Sequence, residues 1–245
     1  MMEKHLIINA DDFGLAPGVN QAVFELYELG LVKSSSIMVN MPGFQDAIRR
    51  LYNKRGLGVG LHFNLSAGSP IAPPHWVPSL VDDNGNFSED LAWNENDVLL
   101  ELKAQMNRLI STGIRPTHID SHRFIQTQAN VCRPMISIAR SMNLPMRRTG
   151  WEPALNISSM PRGVDKFFAD AYFEDDGKSV LLNNLHSLPY GTSELICHPG
   201  YVDEYLIDNC SWTTVREIEL SVLKDPEIMD TINELGIRLI NYRYI

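Results

Sequence analysis

Cysteine and basic residues are both scarce in this chain of 245 residues. The three cysteines, at 132, 197 and 210, are widely spaced and include no Cys-x-x-Cys pair, a pattern that argues against a disulfide framework and suits a reducing compartment. The formal net charge of -9 argues against a nucleic-acid or anionic-membrane surface as the main partner. No apolar run approaches the length of a transmembrane helix or a signal-peptide core. We therefore expect a soluble cytoplasmic protein.

Short apolar segments alternate with helical patterns along the chain. The predicted strands are LIINA (6–10), SSSIMVN (34–40), LGVGLHFNL (57–65), THIDS (117–121), PMRRT (145–149), SELICHP (193–199) and GIRLINYRY (236–244). Helices are predicted at 17–30, 44–54, 95–111 and 131–142, with two more between 200 and 236. A long Pro-, Gly- and Asn-rich loop (66–94) and an irregular stretch (151–188) interrupt the alternation.

This alternation predicts an α/β fold with a mainly parallel sheet covered by helices. About seven such units favour an irregular (β/α) barrel in a single domain over residues 1–245, and an open doubly wound sheet is the alternative. In either fold a functional site is expected where the strands end at their carboxyl side.

Ionisable side chains stand at several of these strand ends. Asp11 and Asp12 directly follow the first strand, His62 lies near the end of the third, and His198 lies near the end of the strand at 193–199. A lone Asp at such a junction is often only a helix cap, and a lone buried His is often a hydrogen-bonded core residue. Two adjacent carboxylates are harder to explain as caps, because one cap suffices.

The run HIDSH (118–122) adds to this group. Alternation along a strand would put His118, Asp120 and His122 on one face. An Asp and two His from different strands make a three-ligand site with open positions, as catalytic metal sites require. Such a site leaves the cation net positive and able to polarise a bound oxygen.

Four motifs together resemble the YdjC-like carbohydrate deacetylase family, whose best-known members are chitooligosaccharide deacetylases. The motifs are NADDFG (9–14), GLHFNL (60–65), THIDSH (117–122) and CHPGY (197–201), in the order and spacing of the family. The resemblance implies an irregular barrel similar to that of polysaccharide deacetylases. It also implies removal of acetyl groups from N-acetylated sugars with a divalent metal, usually magnesium, and a homodimer.

Carried over motif by motif, the resemblance assigns Asp12, His62 and His122 to the metal. Asp11 would be the general base for the water that attacks the amide, and His198 the acid or oxyanion partner. Predicted substrate-binding residues are His118, Asp120, Arg123, Arg147 and Tyr201, and Arg147 or Arg148 stands where the family places an orienting arginine. Trp76, Trp93 and Trp151 are further candidates for stacking on a sugar ring. The chain continues DSH with RFIQTQ, where close relatives carry more histidines.

Three questions stay open at this point. Imidazole-rich ligation favours zinc or another transition metal, whereas the resemblance points to Mg²⁺. The chain could instead hydrolyse another sugar ester or a phospho-sugar bond on the same barrel, although no Gly-rich phosphate loop is present. It could also be a sugar-binding homologue without activity.

Overall fold

A computed structural model describes residues 3–52, 54, 56–88, 92–152, 154–155, 160–170 and 172–245 of the chain. Within these residues seven strands form one sheet, and every strand pairing is parallel. The strands are β1 (Lys4–Phe13), β2 (Ser34–Ile37), β3 (Gly58–Phe63), β4 (Ile119–Ser121), β5 (Lys166–Phe168), β6 (Gly191–Cys197) and β7 (Arg238–Leu239). The predicted α/β fold with about seven parallel strands is therefore confirmed.

The sheet has the order β4-β3-β2-β1-β6-β5, and β7 pairs with β1. The segment 145–147 runs alongside the free edge of β4: Ile119 donates to the carbonyl of Pro145, and Arg147 donates to that of Ile119. On its other side, Met146 donates to the carbonyl of Arg162, a few residues before β5. The sheet thus curls toward a closed barrel instead of remaining an open sheet.

Eight helices of the described residues cover the sheet. They are α1 (Pro17–Glu28), α2 (Phe44–Leu51), α3 (Glu95–Ser111), α4 (Ala129–Ser141), α5 (Gly177–Ser187), α6 (Glu204–Asn209), α7 (Thr214–Leu223) and α8 (Pro226–Glu234). Local signals begin several of them: the Asn94 side chain caps α3, and Asp225 caps α8 ahead of Pro226 at its first turn. No helix in the described ranges is both long and apolar enough to cross a bilayer.

The two faces of β1 contact different interiors. Leu6, Ile8 and Ala10 belong to the main core between sheet and helices, whereas Ile7 joins a small apolar cluster with Val164, Ile240 and Tyr242. Since side chains alternate along a strand, Asn9 and Asp11 follow Ile7 on the inner face of the curled sheet. That apolar cluster closes the amino-terminal end of the interior, and the polar residues of β1 lie beyond it.

Several predicted elements were wrong in detail. The predicted strand PMRRT forms only an isolated bridge, Met146 with Ile119, and β7 has two residues where a nine-residue strand was expected. The irregular stretch holds β5 and α5, and three helices, not two, follow the strand at 193–199. Residue 53 of the second predicted helix, residues 89–91 of the long loop, and residues 153, 156–159 and 171 of the irregular stretch lie outside the described residues.

Candidate metal and catalytic site

Three strand ends bring one carboxylate and two imidazoles together. The Oδ1 atom of Asp12 lies 3.2 Å from Nε2 of His62 and 3.1 Å from Nδ1 of His122. One ligand atom from each residue lies within 4.8 Å of the others, a spacing that one small cation can bridge. His62 and Asp12 are buried, and His122 is partly exposed at the mouth of the site.

An unusual backbone conformation aims the Asp12 side chain. The register of β1 against β2 shifts between Ala10 and Phe13, and Asp12 has a φ of 63°. A left-handed conformation is uncommon for residues other than glycine, although Asp tolerates it better than most, and it is frequent at functional sites. The strand therefore continues through both aspartates, and the shift turns them toward different partners.

Arg216 of α7 pairs with Asp12 from across the site. Its Nη2 lies 2.7 Å from Oδ2 of Asp12, and the two side chains are 4% and 2% exposed. Burial by itself opposes a charge on Asp12, but Arg216 and His122 outweigh it and hold the pKa of this carboxyl well below its usual range. Asp12 is thus a carboxylate at neutral pH, as a metal ligand must be.

His62 is held from both sides of its ring. Its Nδ1 lies 2.8 Å from Oδ1 of Asp120, while Nε2 faces Asp12. A carboxylate on the far ring nitrogen is the arrangement that orients a metal-binding histidine. Burial would lower the pKa of His62, but Asp120 and Asp12 raise it to about 10. Without a cation, the imidazolium itself occupies the position between the two carboxylates.

Asp11 has a separate partner, Arg147. Both Asp11 oxygens accept from this guanidinium at 2.7 Å, and the Asn9 amide donates to Oδ1 at 2.7 Å. Arg147 also contacts Asp120 at 2.9 Å and Glu194 at 2.9 Å, and its side chain is completely buried. The bidentate pair fixes the orientation of the Asp11 carboxylate. Of the two predicted candidates for an orienting arginine, Arg147 contacts the Asp11 carboxylate, whereas Arg148 is exposed.

His198 faces Asp11 across the site. Its Nε2 lies 4.0 Å from Oδ2 of Asp11, and its Nδ1 lies 3.9 Å from Oε2 of Glu219. The other oxygen of Glu219, Oε1, accepts from the backbone amide of His198. The indole of Trp212 stands edge-on to the imidazole at 5.4 Å. Burial lowers the pKa of His198, and Asp12 and Asp11 counteract it. Burial raises the pKa of Glu219 to about 8, so this carboxyl is largely protonated at neutral pH.

The donor set fits a divalent cation. With His62 neutral, as a metal-binding imidazole must be, the cluster has a formal excess of two negative charges. Four carboxylates face two guanidinium groups: Asp11, Asp12, Asp120 and Glu194 against Arg147 and Arg216. A second overlapping group, Asp11 with His62 and Asp120, also has ligand spacing. Arg147 already pairs with both carboxylates of that second group, so the group around Asp12 is the better candidate.

Three aromatic side chains pack together, and one of them, Phe167, has its ring centroid 5.7 Å from the Arg147 guanidinium. The rings of Phe124, Trp151 and Phe167 meet edge-on at 5.3–6.1 Å. Phe124 and its neighbour Arg123 both have positive φ, 51° and 53°, so the backbone turns sharply after His122. Phe124 thus places an aromatic ring two residues after His122.

Three more residues were predicted to bind substrate: His118, Asp120 and Tyr201. His118 has no exposed surface and stacks on Tyr242 at 4.0 Å, and Asp120 is fully buried behind His62. The Tyr201 hydroxyl donates to Glu25 at 2.5 Å, away from the cluster. Substrate binding by His118, Asp120 and Tyr201 stays a prediction. Trp93 is buried at 4% exposure, whereas Trp76 is 59% exposed.

Sequence reasoning missed four residues of the site: Glu194, Trp212, Arg216 and Glu219. A signal existed for three of them. Glu194 interrupts an apolar strand, and Arg216 and Glu219 share a helix face with the buried Leu220 and Leu223. A charged residue on an apolar face predicts a buried partner. Nothing in the sequence indicated Trp212.

Comparisons with known proteins show what this chain is similar to. The family model described as "YdjC-like protein" matches residues 5–234. A carbohydrate deacetylase of Thermoanaerobacter pseudethanolicus is 37% identical over 98% of both chains. A chitooligosaccharide deacetylase of Yersinia enterocolitica is 32% identical over 98% of this chain and 99% of that protein. The solved structure of a proposed cellobiose-phosphate cleavage protein of Enterococcus faecalis covers 99% of this chain and 98% of its own, with TM-score 0.88 and 29% identity. A peptidoglycan N-acetylglucosamine deacetylase structure covers 98% of this chain and 86% of its own, and it shares only the fold, with TM-score 0.57 and 13% identity.

Proposed function

This chain belongs to the YdjC-like protein family, and from that premise we propose that it is a carbohydrate deacetylase that uses a divalent metal to hydrolyse the acetamide of N-acetylated sugars. The relatives' names support the reaction class. One observation carries the metal-dependent mechanism: a carboxylate and two imidazoles converge beside a second carboxylate that a separate arginine holds.

In this proposal Asp12, His62 and His122 hold the cation. A cation bound there would supply Lewis-acid chemistry, polarising the amide carbonyl and stabilising the charge that develops on its oxygen. One carboxylate and two imidazoles fit this role, and the Asp120 carboxylate fixes the orientation of the His62 ring. Zinc and other transition metals match this donor set by softness, and Mg²⁺ remains the ion that the resemblance implies.

Asp11 is proposed as the general base. Its carboxylate cannot rotate, because Arg147 holds both oxygens, and it lies next to the ligand Asp12 without sharing its partners. From there it takes a proton from the water that attacks the amide carbon. General-base assistance of this kind contributes on the order of 10²–10⁴ in rate.

His198 is proposed as the acid that protonates the departing amine. It stands opposite Asp11, with Nε2 directed at the same space. Burial lowers the pKa of its imidazolium, which makes the protonated ring a stronger acid and reduces the fraction that carries the proton. Glu219 holds the backbone of His198 in place.

An acetate-release assay tests the proposal. Purified protein is incubated with N-acetylglucosamine and its oligomers in the presence of Mg²⁺, Zn²⁺, Mn²⁺ or Co²⁺, and wild type is compared with Asp11→Asn and His122→Ala. Asp11→Asn should bind metal and release no acetate, whereas His122→Ala should lose the metal. Near wild-type turnover by Asp11→Asn would contradict the base assignment. Phosphate release from phosphorylated sugars without acetate release would favour the phospho-sugar alternative.

Three further features belong to the same proposal. One domain over residues 1–245 is supported by the single sheet and by a core cluster that runs from Leu6 to Ile237. A cytoplasmic location is supported by the scarce, unpaired cysteines. A homodimer rests on the family resemblance alone, and size-exclusion chromatography with light scattering tests it.

A further inference from the structure

The two oxygens of Asp12 have different partners. Oδ1 faces the nitrogens of His62 and His122, at 3.2 Å and 3.1 Å. Oδ2 accepts from Nη2 of Arg216 at 2.7 Å. Only one oxygen of this ligand is therefore directed at the place where the cation would bind.

Arg216 is rigidly placed and only partly satisfied. Its Nε donates to the carbonyl of Trp212, its own carbonyl accepts from Gly200, and its side chain is 4% exposed. The Nη1 atom is buried and has no hydrogen-bond partner within the described part of the chain. Burying a cation with a donor left unpaired is costly. That cost indicates a role beyond filling the core.

We propose that Arg216 is a positioning residue that restricts Asp12 to binding the metal through one oxygen, and so keeps coordination positions free for water and substrate. The inference rests on the proposed metal-dependent function. Carboxylates that bind through both oxygens are typical of Ca²⁺ sites, which take six to eight ligands. Catalytic sites instead combine three protein ligands with open positions. Arg216 thus favours a small, catalytically open cation over a larger, fully ligated one.

This role predicts an unusual direction of change. Arg216 places a positive charge beside the cation site, so removing it should strengthen the binding of a cation. Removal also frees Oδ2 of Asp12 to become a second ligand oxygen. Both effects tighten metal binding while they remove an open position. If Arg216 only supported the fold, its loss would instead weaken metal binding and stability together.

The experiment titrates metal-free wild type, Arg216→Met and Arg216→Lys with Mn²⁺ and with Ca²⁺ by isothermal calorimetry, and then measures acetate release with Mn²⁺ bound. Arg133→Met is the matched control, because Arg133 pairs with Glu95 on the surface, outside the site. Circular dichroism and thermal unfolding establish that each variant is folded. Arg216→Lys keeps the charge and one donor, so it remains informative if Arg216→Met fails to fold.

Arg216→Met should bind Mn²⁺ at least about tenfold more tightly than wild type, gain more affinity for Ca²⁺ than for Mn²⁺, and lose kcat by at least about tenfold. Arg216→Lys and Arg133→Met should stay near wild type in affinity. Unchanged or weaker metal binding in a folded Arg216→Met overturns the inference, as does tighter binding with unchanged kcat. If Arg216→Met does not fold, near wild-type affinities and kcat in Arg216→Lys support the inference, and weaker Mn²⁺ binding by a folded Arg216→Lys overturns it. The absence of acetate release by wild type would refute the proposed function and leave the calorimetric result to decide the ligation of Asp12.

Discussion

Replacing Arg147 by methionine should destabilise the metal-free protein strongly. Arg147 is completely buried and is the shared cation of Asp11, Asp120 and Glu194. Methionine matches much of its volume but leaves these carboxylates without their counter-ion. Removing one partner of a buried ion pair typically costs about 3–5 kcal/mol. In wild type, Arg147 holds the pKa of Asp120 down against the effect of burial. Without Arg147 this pKa would rise, and partial protonation of the carboxylates would limit the loss of stability to this range.

This free energy converts into a measurable shift. A chain of 245 residues has an unfolding entropy of roughly 0.5 kcal/mol/K, so each kcal/mol lowers Tm by about 2 °C and Arg147→Met should lower it by about 6–10 °C. Thermal unfolding is followed by circular dichroism with EDTA present, at pH 7.5 and at pH 5. The deficit should shrink at pH 5, because the carboxylates that have lost Arg147 accept protons more readily there.

A double variant tests the cause. Arg147→Met with Glu194→Gln removes one of the uncompensated carboxylates and keeps an acceptor for the Tyr242 hydroxyl, which donates to Glu194 at 2.5 Å. It should recover about 1–2 kcal/mol relative to Arg147→Met. The exposed pair of Arg133 with Glu95 provides the control, and Arg133→Met should shift Tm by less than about 2 °C. An Arg147→Met protein that unfolds within about 2 °C of wild type would refute this reasoning.

Three other outcomes are expected. The free energy of unfolding of the metal-free protein should fall by a few kcal/mol as pH rises from 6 to 10. Folding raises the pKa of His62 from 6.5 to about 10 and that of Glu219 from 4.5 to about 8, so both groups hold their protons more tightly in the folded state. Urea unfolding measured across this pH range checks the prediction. Metal binding at pH 7.5 should release close to one proton from His62, measured by calorimetry in buffers of different ionisation enthalpy, and a buffer-independent heat would contradict it. Gly60→Ala should cost about 1–3 kcal/mol, because a Cβ there would lie 2.4 Å from the His118 ring; an unchanged urea midpoint would show that this ring can move aside.

The sequence determined the class of fold and the positions of the strand ends. Apolar runs bounded by Gly and Pro, alternating with helical patterns, are enough to predict parallel strands, and the carboxyl ends of parallel strands meet at one edge. That rule correctly brought Asp11, Asp12, His62, His122 and His198 to one region of the fold. These are local signals, and each can be recognised without knowing what lies across the barrel.

Two short strands were not predicted correctly: β5 was missed, and β7 was predicted as a nine-residue strand. β5 and β7 contain three and two residues, too few to show a period, and pairing with β6 and β1 holds them in the sheet. Conversely, PMRRT has a strand-like composition but follows the edge of β4 for a single bridge. At these lengths neighbouring strands decide the conformation, because local propensity is worth too little to do so.

Only the tertiary structure decided how the charges are shared. Arg147 is 136 residues from Asp11, and Arg216 is 204 residues from Asp12. The motif NADDFG (9–14) therefore contains two adjacent carboxylates that pair with different arginines. Arg147 holds both oxygens of Asp11, whereas Arg216 holds one oxygen of Asp12. Adjacent identical residues carry no sequence signal for that difference. The difference arises because the register shift in β1 turns the two side chains toward different elements. There each carboxylate is buried against its own arginine.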